Sequence, residues 1–204
     1  MGVLFGIVGG GFAKLLGLSQ DFFAKKFPNS IKRIAIMGVG ISVLLLVFFQ
    51  GRYAGLGTNL LDMCFGVNVA DLGTAAGSAT GSAAGTADLI GNVAGYDWLI
   101  KFALTILTLS AGFIGGVVTP LFAIGATFGV FVAGMFGMPA ALAAALGFAA
   151  VFASASNTLW APILIAGEIF GFNCLPAFFI VCTVAYICNG GQSIYKQKKI
   201  RIKI

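Results

Sequence analysis

From Trp98 to Cys188 the chain is nearly all apolar, and this run limits the possible folds more than any other feature. Across all 204 residues, 59% are hydrophobic and 9% charged, with a mean hydropathy of +1.04. A soluble domain carries about 25% charged residues. A chain so poor in charge cannot cover itself with a water-facing surface, so the expectation is an all-α, multi-pass protein of the cell membrane. Thirty glycines suit that setting, because small residues let membrane helices approach closely.

Composition also excludes functions. The chain has no His, which removes the commonest metal ligand and the usual general base. No nucleophile–base pair or metal-ligand cluster is visible, so neither an enzyme nor a bound metal or cofactor is expected. Cys64, Cys174, Cys182 and Cys188 form no CxxC pair and read as small buried hydrophobes. The net charge of +6 is concentrated in two places. Lys25, Lys26, Lys32 and Arg33 share one short loop; Lys196, Lys198, Lys199, Arg201 and Lys203 share the C-terminal tail. Basic clusters flanking apolar runs mark the cytoplasmic face rather than a nucleic-acid surface. The first residues are apolar without a basic leader, so no cleavable signal peptide is expected.

Residues 1–18 form an apolar run with a glycine triplet, a membrane-helix candidate with Lys14 near its end. Residues 19–30 read as a polar turn containing Pro28. Residues 31–50 are a second span of about the 20 residues a bilayer requires. Residues 51–65 (GRYAGLGTNLLDMCF) hold three glycines and an apolar segment too short to span. Residues 66–88 are low in complexity and read as a flexible external loop. Within the long apolar run, punctuation falls at Gly112, Gly115 and Gly116, at Gly137 and Pro139, at Ser154 to Thr158, and at Gly171, Asn173 and Pro176. The intervals are often shorter than a full span. Such broken, tilted helices are tolerated in membranes where the loose backbone is buried or lines a cavity, and in transporters they point to the binding site.

The segment 112–129, GFIGGVVTPLFAIGATFG, carries the chemistry. Gly115 and Gly116 allow close backbone approach. Pro120 suits the first turn of a helix, and Thr119 stands where an N-cap belongs, so a helix is expected from Leu121 onward. The N–H groups of Val117, Val118 and Thr119 would then face outward with the helix dipole behind them, a site for an anion. The same features also fit a helix start that merely packs against its neighbours.

This segment is similar to the signature of the ClC anion channel and transporter family, and its Val-Thr-Pro form resembles the fluoride/proton antiporter branch. GRYAGLG at 51–57, SNTLWAPILIAGEIFG at 156–171 and NGGQSIY at 189–195 resemble further segments of that family in the same order. The match departs from the family at two positions: Val117 stands where the fluoride branch commonly has an acid, and Leu159 where the family has Pro. The resemblance implies a bundle of tilted and broken helices equivalent to the second of two inverted repeats, spanning 1–204 with a basic cytoplasmic tail at 196–204. It implies anion contacts from the Val117, Val118 and Thr119 amides, with Gly115, Gly116 and Pro120 as supporting backbone, a Thr119 hydroxyl contact, and the Tyr195 phenol as a neutral donor. Tyr195 alone would also suit an interfacial anchor. Glu168 reads as a structural acid bonded to backbone or hydroxyl groups, with proton relay as the alternative.

The function so implied is fluoride efflux coupled to protons, by a homodimer in the lipid bilayer. The first helix and the two helices spanning roughly 158–188 would face the partner. A chloride channel or chloride/proton antiporter is the alternative, and a non-transporting membrane fragment or scaffold is the reading from another class. No Gly-Arg-Glu-Gly-like motif is present, so the gating half of the pore is expected to lie on a missing N-terminal half.

Overall fold

The computed structural model describes residues 1–27, 29–49, 53–65, 93–113 and 115–195; of residues 30, 32 and 47–49 it describes the backbone alone. The low-complexity stretch 66–88 and the basic tail 196–204 lie outside the described residues. The described residues are helical and in turns, and form one packed bundle. In chain order the α-helices are α1 (Gly2–Lys26), α2 (Ser30–Phe49), α3 (Thr58–Phe65), α4 (Asp97–Ala111), α5 (Val118–Phe136), α6 (Ala140–Ser156), α7 (Trp160–Phe170) and α8 (Leu175–Cys188). A 3₁₀ turn, Phe172–Cys174, joins the last two. At 25 and 19 residues, α1 and α5 are long and apolar enough to cross a bilayer.

The centre of the bundle is α6. It is buried from Ala143 to Ser156 on all sides, as a helix apolar around its whole circumference must be. It lies along α5 and also packs on α1, α7 and α8. Small residues set the α5–α6 distance: a Cβ at Gly125 would strike the Gly147 carbonyl, one at Gly147 the Gly125 carbonyl, and one at Gly129 the Ala143 carbonyl. Without a hydrophobic drive between helices in lipid, this close backbone contact supplies the packing energy. Phe122 of α5 stacks on Phe148 of α6 with centroids 3.9 Å apart, and meets Phe152 edge-on.

The glycines of α1 do the same work. Gly6 lies against Ala185 and Cys188 of α8, Gly9 against Val151 and Ser154 of α6, and Gly10 against Asn189. Ser154 Oγ donates to the Gly6 carbonyl at 2.8 Å, tying α6 to α1.

The helix ends follow the expected punctuation. α4 ends at Gly112 (φ 100°), α5 at Gly137 (φ 65°) and α6 at Asn157 (φ 55°), all left-handed. Two expectations need correction. The polar stretch 19–26 is not a turn: α1 runs through it to Lys26. SQDFFAKK holds no helix breaker, and the chain leaves the helix just before Pro28, whose ring disfavours helical geometry in the preceding residue. The second concerns α5, which starts at Val118 and not at Leu121.

Candidate functional site

The link from α4 to α5 brings the candidate residues together. After Gly112 the chain passes Gly115 and Gly116, both exposed, with nothing in this chain within 4 Å of where a Cβ would stand. Val117 is the N-cap of α5 in helical geometry (φ −83°, ψ −24°), without a side-chain cap. Thr119 is therefore the second helical residue and not the cap. Pro120 follows in the first turn, where its missing N–H costs nothing. The first intrahelical bond runs from Leu121 N–H to the Val117 carbonyl at 3.2 Å. Among the described residues, none of the Val117, Val118 and Thr119 amides donates a hydrogen bond. These are the orphan donors of a helix start, with the positive end of the helix dipole behind them.

Gly115, Gly116 and Pro120 line a cavity of about 270 Å³. Its other walls are α2 (Ile41, Leu45), the 53–56 corner, and the face of α4 carrying Lys101, Thr105 and Thr108. Thr105 and Thr108 donate their hydroxyl hydrogens to the carbonyls of Lys101 and Leu104, at 2.7 and 2.8 Å. A second cavity of the same size lies near the C-terminus of α4, lined by Gln20, Asp21, Arg33, Ser110 and Gly112. There Arg33 Nε donates to the Ala111 carbonyl at 3.0 Å, a cation on the negative end of the helix.

The segment leading to Tyr195 is held by Asn189, which is 4% exposed. Its Nδ2 donates to the Ser154 carbonyl (2.7 Å), to Asn157 Oδ1 and to the Gln192 carbonyl (both 3.1 Å), while its Oδ1 accepts from the Gly191 and Gln192 amides. Ile194 N–H donates to the Ala155 carbonyl at 2.9 Å. Ile194 packs against the same hydrophobic core as Val117 and Val118, so the turn before Tyr195 and the start of α5 share one support. Tyr195 itself is 47% exposed. The described part of 189–195 is turn rather than helix.

Glu168 stands apart. It is exposed on α7, lines neither cavity, and bonds to no backbone or hydroxyl group among the described residues.

Sequence reasoning missed the buried polar group at the other end of the main cavity. Tyr53 Oη donates to Asp97 Oδ1, the Ala94 amide donates to Asp97 Oδ2 at 2.9 Å, and Lys101 Nζ donates to the Tyr53 and Gly55 carbonyls. Asp97 and Lys101 are fully and nearly fully buried. The available signal was their i, i+4 spacing at the head of an apolar helix, where ionisable residues are rare and functional.

Comparison with known proteins agrees with this architecture. Residues 1–190 match the family described as voltage gated chloride channel. A "Chloride/fluoride channel protein" of Pseudomonas syringae pv. tomato is 43% identical over 108 residues, 53% of this chain and 24% of that protein. The crystal structure of a CLC-type fluoride/proton antiporter superposes with a TM-score of 0.81 at 46% identity, covering 96% of this chain and 44% of that one. The chain thus spans less than half the length of the proteins it matches.

Proposed function

Because the chain belongs to the voltage-gated chloride channel family, we propose that it is part of a membrane anion transporter that exports fluoride in exchange for protons. One observation carries this reading: amides at the start of α5 that donate to no described residue, beside a glycine pair open to a cavity. Backbone N–H groups and a helix dipole attract a dehydrated halide while leaving it free to go, which a full charge in direct contact would not. The Thr119 hydroxyl and the Tyr195 phenol complete the donor set, both neutral. The 46% identity over nearly all of this chain to a fluoride/proton antiporter supports fluoride as the ion.

In this reading the chain is the second inverted repeat of a multi-pass transporter, and a preceding half supplies the gate and the remaining anion contacts. Two copies of the complete protein associate through α1, α7 and α8, whose exposed apolar residues include Ile7, Leu164, Ile180 and Ile187. Glu168, exposed on α7, is better suited to that outer surface than to the pore. Val117 favours a second reading, chloride transport, because it is apolar at the position after the glycine pair where the resemblance to the fluoride branch leads one to expect an acid.

The test is flux. The chain is co-expressed with a first-half polypeptide of the same family and reconstituted in liposomes loaded with fluoride or chloride. Fluoride efflux that drives proton uptake is the expected result. Robust chloride flux without fluoride flux selects the second reading. No flux of either ion, unchanged by substitution of Thr119 or Tyr195, makes the chain a non-transporting membrane component.

A further inference from the structure

Lys101 takes no part in the turn proposed to hold the anion, yet it lines the same cavity. It is 3% exposed. Its ammonium donates to the Tyr53 carbonyl at 2.9 Å and the Gly55 carbonyl at 2.8 Å. An ammonium has three N–H donors, and these two carbonyls take two of them. Among the described residues no carboxylate bonds to Nζ. Asp97, one turn earlier on α4, turns its oxygens to Tyr53 Oη and the Ala94 amide. Fastening the 53–55 corner does not explain a charge here, since a neutral donor could bond those carbonyls without the cost of burying an ion.

The cavity follows α4 from Lys101 past Thr105 and Thr108 towards the glycine pair. Both threonine hydroxyl hydrogens are already given to helix carbonyls, which leaves Lys101 as the charged donor among the lining side chains. Lys101 meets α5 about a turn beyond its start: a Cβ at Gly57 would touch both Lys101 Cε and Ala123 Cβ, at 2.9 Å each.

We propose that Lys101 is a second anion station, at which a small monovalent halide rests on the spare ammonium N–H before or after occupying the 117–119 amides. The carboxylate of Asp97 one turn away and the two carbonyls on Nζ temper the charge, so the ion is attracted without being trapped. The role of Lys101 as a relay rests on the anion reading of the α5 start, whereas its own halide contact does not.

The experiment uses the full chain in detergent micelles, labelled with ¹⁵N, titrated separately with sodium fluoride and sodium chloride. The Lys101 Nζ resonance is assigned by its loss in Lys101→Met. The expected result is a saturable shift of Nζ with a midpoint distinct from that of the Val117–Thr119 amide shifts. Lys101→Arg should retain halide binding at this end, and Lys101→Met should weaken it about tenfold or more, the scale of a hydrogen bond to a charged group. Amide shifts with an unmoved Nζ overturn the station and leave the α5 site standing. An Nζ shift with unmoved amides upholds the halide contact and overturns the α5 site and the relay. If neither moves, both fall. The wild-type titration decides the question even if Lys101→Met fails to fold, since Lys101→Arg then supplies the assignment.

Discussion

Asn189 gathers five side-chain hydrogen bonds, binding the end of α6 to the turn that carries Tyr195. Asn189→Ala should cost about 1–3 kcal/mol, because it leaves the buried Ser154 carbonyl and the turn amides short of partners. Thermal unfolding in detergent measures the loss, and a midpoint unchanged from wild type would contradict it. Thr119→Val keeps the shape and deletes the hydroxyl; halide affinity should fall by roughly two- to tenfold, the worth of one ordinary hydrogen bond. Isothermal titration with sodium fluoride checks this, and unaltered affinity would remove the Thr119 hydroxyl from the donor set. These residues differ in how far sequence revealed them. Thr119 sits in a recognisable Gly-Gly…Pro segment, but the cap position falls on Val117, which enters the helix with no side-chain cap. The partners of Lys101, and Ser154 and Asn157 for Asn189, lie more than 30 residues away, and local pattern carries no trace of them.

At the scale of helices, the seam between α5 and α6 is made of backbone against backbone. Gly147→Ala places a methyl on the Gly125 carbonyl, and overpacking of this kind costs about 1–3 kcal/mol. The expected outcome is a lower unfolding midpoint, and Gly134→Ala, which meets nothing within 4 Å, is the matched control. Equal midpoints for the two variants would mean the seam relaxes freely. The ends of α4, α5 and α6 were legible because left-handed positions select Gly or Asn. The length of α1 was not: its last turns are polar, and polarity alone does not separate a turn from an exposed helix end when nothing there breaks a helix. Which glycines form seams was also hidden, since Gly6, Gly9 and Gly10 face neighbours while Gly11 faces none, a distinction that depends on tertiary packing.

For the molecule as a whole, the four free thiols offer a test of the packing order. Cys64 and Cys182 are fully buried, Cys174 is half-buried and Cys188 is exposed. A membrane-permeant maleimide should modify Cys188 fastest and Cys174 next, leaving Cys64 and Cys182 unreacted until the fold is denatured. Peptide mass mapping reads the order, and early modification of Cys182 would show that α8 is not seated on α6.

The glycine face of α1 closes against α8 and Asn189, close to the far end of the described chain. During synthesis α1 leaves the ribosome well before the surfaces that receive it. Until about 180 further residues have been added, Gly6 and Gly10 present a bare groove to lipid or to chaperones, and the bundle cannot lock. A chain that stops short of α8 therefore leaves the Gly6 and Gly10 face of α1 uncovered, with Gly9 already seated on α6.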